Sequence, residues 1–323
     1  MKPQQPGSNV QVLLPSPDRE RYGSRLTTRL DTRVSLPPRE GCRSRRGVRM
    51  LGKASVFEFN RSRGKIVVLK VGGSVLTGVK AFRRTARFLK HRCELAPSEK
   101  LAVVVSAQKL ATNTLERRAR RILQNPSVRA LDLLWSTAEL RSVALLTLHL
   151  EALKVSSVGL NVQETGLRFA AEHEGRPALM GHHLESVLSK HDVVIVPGFL
   201  ATRPDGTIAS VGRGGSDLSA VLLAIGLEAS RCELVKDVPG YFEEDPRENA
   251  LARHIPSLTF EDALRMANRG CELVQTRALL TAAEVNLPLV IRSMDEEAPF
   301  SVISARSKRD SGGIHSEPVG TKA

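Results

Sequence analysis

The chain has 323 residues, enough for one large domain or two, and 41% hydrophobic content supports a substantial buried core. Aromatic residues make up only 4%, with one Trp and two Tyr, so the stacking platforms that hold single-stranded nucleic acid are poorly supplied. The net charge of +14 is uneven: residues 1–49 carry eleven Lys or Arg against four acids, a local +7 that is half of the total.

That first stretch also holds six prolines, five scattered serines and no sustained apolar period, and it is expected to form a disordered basic arm over residues 1–60. Three readings of the arm stand. It is an upstream translation start with the genuine beginning at Met50, the favoured reading, or an Arg-rich organellar transit segment, or a nucleic-acid tether. No charged stub followed by an apolar run occurs, which argues against a secretory signal. The most apolar helical stretch, Val143 to Val155, is interrupted by His149, Glu151 and Lys154 and is too short to span a bilayer. A soluble, cytoplasmic protein without a membrane partner is expected, and nucleic acid is not expected as its main ligand.

Lys65 to Val71 is short, β-branched and followed by Gly72-Gly73, the pattern of a buried parallel strand feeding a phosphate-binding turn. A helix pattern over Ala81 to His91 and a strand over Leu101 to Val105 complete a βαβ unit. Leu115 to about Val155 is helical in character, with a break at Asn125-Pro126-Ser127. Strands are predicted at Val155–Val158, Val193–Val196, Cys232–Val235 and Leu287–Ile291, and helices at Leu218–Leu227 and Phe260–Ala267. This alternation predicts an α/β fold: an open, mostly parallel twisted sheet with helices on both faces, three layers over about 61–303, then a polar tail over 304–323. Cys42, Cys93, Cys232 and Cys271 lack metal-ligand spacing and read as inert thiols, and His182-His183 as a surface helix pair.

Val211-Gly212-Arg213-Gly214-Gly215-Ser216-Asp217 sets an arginine, a glycine pair, a hydroxyl and a carboxylate at the mouth of a predicted helix. The glycines let backbone amides approach an anion, Arg213 can grip a carboxylate through two parallel hydrogen bonds, and Asp217 can orient a cation. A structural Arg–Asp salt bridge is the plainer alternative. In Lys70-Val71-Gly72-Gly73-Ser74 the lysine precedes the glycines, unlike a Walker A loop. The turn's amides can bind the β and γ phosphates of ATP while Lys70 meets the charge that develops on the transferring phosphoryl group. Ser106 and Thr112 follow the second strand at its carboxyl end, where doubly wound sheets bind ligands, and they can also cap a helix beginning near Asn113.

Taken in order with Lys236-Asp237-Val238-Pro239-Gly240-Tyr241 and Asp245-Pro246-Arg247, these segments resemble the catalytic domain of aspartate kinases, in the amino-acid kinase superfamily, over about residues 64–303. The resemblance implies an ATP- and Mg²⁺-dependent transfer to the side-chain carboxylate of L-aspartate, giving 4-phospho-L-aspartate, with Lys70 and Asp217 catalytic. It implies that the substrate is held by Ser106, Thr112, Glu139 (on the amino group), Phe199 of a Pro-Gly-Phe turn, Arg213 (on the α-carboxylate) and Ser216. ATP would be held by Gly72, Gly73, Ser74, Lys236, Asp237, Phe242 and Arg247. A homodimer is expected, and no ACT domain is expected in the polar residues that remain.

The chain departs from this pattern in places. Gln108, Lys109 and Leu110 stand where small residues and glycine are usual, Ala138 replaces a glycine, Phe242 a tyrosine and Lys236 a threonine. Glu272 occupies the place of a lysine thought to neutralise ATP phosphates, and Lys236 is expected to take over part of that role. Two alternatives follow: a superfamily kinase acting on another small amino acid or acid, and a non-catalytic nucleotide-binding regulator.

Overall fold

Residues 66–169, 176–212 and 214–305 are described by a computed structural model; the basic arm, Arg213 and the tail beyond residue 305 lie outside the described residues. In chain order they form β1 Ile66–Val71, α1 Val79–Leu95, β2 Lys100–Val105, α2 Ala111–Ile122, α3 Val128–Ala152, β3 Ser157–Gly159, β4 Leu167–Phe169, β5 Pro177–Leu179, α4 His183–Lys190, β6 Val193–Pro197, β7 Leu200–Thr202, β8 Ile208–Ser210, α5 Gly215–Gly226, β9 Arg231–Val235, β10 Tyr241–Phe242, β11 His254–Ile255, β12 Ser257–Thr259, α6 Phe260–Asn268, α7 Thr276–Glu284, β13 Leu289–Arg292 and β14 Ser301–Ser304.

The β-branched run of β1 lies at the centre of an eight-stranded sheet of order β12-β14-β13-β9-β1-β2-β6-β3. It pairs in parallel with β2 on one side and β9 on the other, so Lys70 sits between Val104 and Leu234. β6, β3 and β13 continue the parallel run, while β14 is antiparallel to β13 and carries β12 with it. This is the mostly parallel sheet that the alternation predicts.

Strand alternation divides the core. Val67, Leu69 and Val71 face one layer with Phe82, Ala86 and Leu89 of α1 and Val143, Leu146 and Leu150 of α3. Val68 faces the other, packed with α4, α5, α6 and α7. Lys70 falls on the Val68 face, beneath the N-terminus of α5. The carboxyl ends of β1, β2, β6 and β9 share one sheet edge, so the segments starting at Gly72, Ser106, Gly198 and Lys236 open there together.

The predicted break at 125–127 ends α2 and begins α3, with Ser127 accepting a hydrogen bond from the Ala130 amide at 3.2 Å. Capping by Ser106 or Thr112 is corrected. α2 begins at Ala111, and its N-cap is Leu110 in the left-handed region at φ 67° without a side-chain cap. A residue with a Cβ holds a conformation that glycine adopts freely. His182 is the N-cap of α4 and His183 its first residue, both exposed. No cluster of three or more metal-ligating side chains occurs among the described residues. Burial raises the Cys93 thiol to about 11 and pushes Cys232 higher still, consistent with inert thiols.

Candidate active site

The glycine turn after β1 is built by close approach. A Cβ on Gly73 would meet the Ala107 carbonyl at 2.4 Å, and the Gly73 carbonyl accepts from the Lys109 amide at 3.0 Å. Only glycine lets the turn press against the segment after β2. Gly72 donates to the Val235 carbonyl at 3.4 Å, and Ser74 Oγ donates to Asp237 Oδ1 at 3.4 Å, tying the turn to the end of β9. The 108–110 departure has a structural role. Gln108 Nε2 donates to the Leu76 carbonyl at 3.2 Å, and Gln108 Oε1 accepts from Arg141 of α3 at 2.9 Å, so a long side chain braces the turn.

Beside this turn stands a buried charge array. Asp217, in the first turn of α5, contacts Lys70 Nζ through Oδ1 and Lys236 Nζ through Oδ2, each at 2.8 Å. The side chains of Lys70 and Asp217 are only 9% and 8% exposed. Burial works against the Asp217 carboxylate, but the charges of Lys70 and Lys236 outweigh it and hold the group well below the usual carboxylate range. Burial and the neighbouring Lys70 charge push Lys236 below its ordinary value. The Gln275 amide also donates to Asp217 Oδ2, at 3.3 Å. Gln275 acts here through its backbone, which no sequence pattern marks. Asp217 of the 211–217 motif thus pairs with two lysines from other segments, while Arg213 lies outside the described residues.

α5 reaches this position through glycines. Gly212 and Gly214 have φ of 96° and 70°, and a Cβ on Gly215 would meet Val211 Cγ2 at 2.3 Å. A Cβ on Gly198 would lie 2.9 Å from Ser216, which packs the Pro-Gly-Phe turn against the start of α5. Phe199 has φ 69°, and its amide donates to Ser219 Oγ at 3.1 Å. Arg277, a residue the motifs do not mark, donates to the Val211 carbonyl at 3.1 Å.

Glu139 is buried at 3% exposure, which removes the solvated-helix reading. Burial raises its carboxyl to about 8, against the opposing effects of a hydrogen bond from the Ala107 backbone and the charge of Lys70. Glu139 and Lys70 thus share one environment. Ser106 is partly buried where β2 ends, and Thr112 lies in the first turn of α2.

The nucleotide segment is looser. Phe242 is partly buried and meets His254 edge-on at 5.2 Å. Arg247 is exposed and paired with Asp245 at 2.7 Å, linked to Asp237 only through longer-range charge. Glu272 is exposed on the segment between α6 and α7, three residues before Gln275.

Paired lysines at the carboxyl edge of a mostly parallel sheet suit an anionic ligand, and comparison with known proteins gives the family. The model of the amino acid kinase family matches residues 65–293, and the chain belongs to that family. Within it, the chain is similar to the aspartokinase of Pseudomonas aeruginosa, 32% identical over 248 residues, covering 76% of this chain and 60% of that protein. The crystal structure of aspartate kinase from Synechocystis matches with 33% identity and a TM-score of 0.66, covering 74% of this chain and 40% of that one. Aspartokinase III of E. coli, in complex with aspartate and ADP, matches with 25% identity and a TM-score of 0.60, over 74% of this chain and 64% of that one. The chain thus spans about 60% of the length of the curated relatives it matches.

Among the described residues no helix is long and apolar enough to cross a membrane.

Proposed function

We propose that this chain transfers the γ-phosphoryl group of ATP to the side-chain carboxylate of L-aspartate, giving 4-phospho-L-aspartate and ADP. The observation that carries the reading is the Lys70–Asp217–Lys236 array: two ammonium groups share one carboxylate at the sheet edge that opens onto the glycine turn. An ammonium has three donors; Lys236 uses one on Asp217 Oδ2 and Lys70 meets Oδ1 as an ion pair, so the array favours a second anion. The names of the similar proteins, aspartokinases, supply the substrate.

In this reading the Gly72-Gly73-Ser74 turn, Lys236, Asp237, Phe242 and Arg247 hold ATP. Glu139 takes the ammonium of the acceptor, and Ser106, Thr112, Phe199, Arg213 and Ser216 complete the acceptor site. A carboxylate oxygen of aspartate attacks the γ-phosphorus, the bond to the bridging oxygen breaks, and ADP leaves with that electron pair. No general base is required, because the attacking carboxylate is already ionised at neutral pH. The protein aligns the two anions and meets the growing negative charge with Lys70 and Lys236. Ser74 Oγ and Asp237 are the oxygen donors that would help to hold a Mg²⁺ ion brought with ATP, since Asp217 is engaged by both lysines, and the ion would supply further charge neutralisation.

The Gln108 brace and Lys236 favour one second reading, an acceptor other than aspartate in the same chemistry. A hydroxamate assay with purified full chain, ATP, Mg²⁺ and a panel of small amino acids separates the two. Acyl phosphate formed with aspartate supports the main reading, product with another acid alone supports the second, and none with any acceptor overturns both.

A further inference from the structure

Trp135 is the only tryptophan in the chain and stands one helical turn before Glu139 on α3, so both side chains leave the same helix face. Its ring meets Phe199 edge-on, with centroids 5.7 Å apart. Phe199 belongs to the turn that packs on Ser216, so Trp135 borders the wall proposed for the acceptor.

The indole Nε1 and Glu139 Oε2 are both buried and have no hydrogen-bond partner. Buried polar atoms are nearly always paired, so a pair left open on one helix face asks for a ligand. The two atoms have opposite sense. The indole is a donor only, and the carboxylate accepts. A small α-amino acid carries the matching groups, an ammonium for Glu139 and carboxylate oxygens for the indole.

We infer that Trp135 is a specificity-determining residue, its indole N–H donating to a carboxylate oxygen of the amino-acid acceptor whose ammonium rests on Glu139. The inference builds on the acceptor pocket described above and adds to it a neutral donor. A site that hydrogen-bonds a substrate group discriminates against analogues lacking it, because its own buried atom is then left unpaired.

The test uses the full chain and its single tryptophan. Emission of the wild type should shift saturably as the acceptor amino acid is added. Trp135→Phe keeps an aromatic ring beside Phe199 and deletes the donor together with part of the indole's volume, so its melting temperature is read alongside. The variant should raise KM for the acceptor about tenfold, equivalent to about 1.4 kcal/mol, while kcat and KM for ATP change by smaller factors. A merely structural role would instead lower the melting temperature and disturb ATP and acceptor alike. An unchanged acceptor KM in Trp135→Phe, or emission indifferent to every amino acid tried, overturns the inference. If the wild type phosphorylates an acid other than aspartate, the same measurements made with that acid decide the role of Trp135, and only the substrate assignment falls. If nothing turns over, the emission titration alone decides.

Discussion

Two buried charge clusters among the described residues follow opposite rules. On the α1 face, Glu233 of β9 takes two hydrogen bonds from Arg92 at 2.7 and 2.9 Å and a third from Arg231 at 2.8 Å. Arg231 also grips Glu99 at 2.9 and 3.0 Å, and Arg292 lies 3.6 Å from Glu233 with its guanidinium over the Phe88 ring. Planar guanidinium forks saturate the carboxylates from within the protein. At the carboxyl edge, Asp217 meets two lysines, compact charges with donors to spare. The first cluster is closed and braces α1 to the sheet. The second is open to a glycine turn, and that openness distinguishes a site from a support.

Substitutions can break this distinction. The largest effect is expected from Asp217→Ala, which leaves two buried ammonium groups without their shared partner. Phosphoryl transfer should fall by about 10³-fold or more, and stability by about 3–5 kcal/mol. Kinetics alongside chemical denaturation check both. Glu233→Gln should cost a similar about 3 kcal/mol in denaturation, because it strands buried guanidinium groups, yet kcat per folded molecule should stay within a factor of about two. Loss of catalysis there at full folding would erase the distinction.

A smaller effect concerns pH. Glu139 has an ordinary value of 4.5 and a folded value of about 8. Between these the folded protein keeps a proton that the unfolded chain has released, so this group makes stability fall as pH rises across that window. Asp217 and Glu233 are depressed, so the stability they contribute is present above the ordinary carboxylate range and is lost as pH falls below it. The acceptor's ammonium needs Glu139 ionised, so kcat/KM for the acceptor should rise toward pH 8, and Glu139→Gln should flatten both the rise and the stability slope. An unaltered pH profile in that variant would remove Glu139 from the acceptor site.

Much of this was legible in the sequence, for identifiable reasons. Short apolar, β-branched runs such as Val67 to Val71 and Leu101 to Val105 read as buried parallel strands, and glycines at 73 and 215 mark close approaches that a Cβ would block. The three-residue strands β4, β5, β7 and β8 are too short to display a period, so the small sheet β5-β4-β7-β8 was not foreseen. α7 buries Ala278, Leu279 and Ala282, whose small side chains give a faint apolar stripe. Gln275 reaches Asp217 through a backbone amide, and Trp135 acquires its interest only from where α3 carries it.

The comparison of the two clusters is tested most directly by the rate of acyl-phosphate formation in Lys236→Met. This change leaves the Lys70–Asp217 ion pair intact and removes one cation from the open cluster. A fall of about 10²-fold or more, in a protein that melts like the wild type, is the outcome expected if both lysines face the phosphates. A rate equal to that of the wild type would mean that Lys236 only neutralises Asp217, and the open cluster would then be a support like the other.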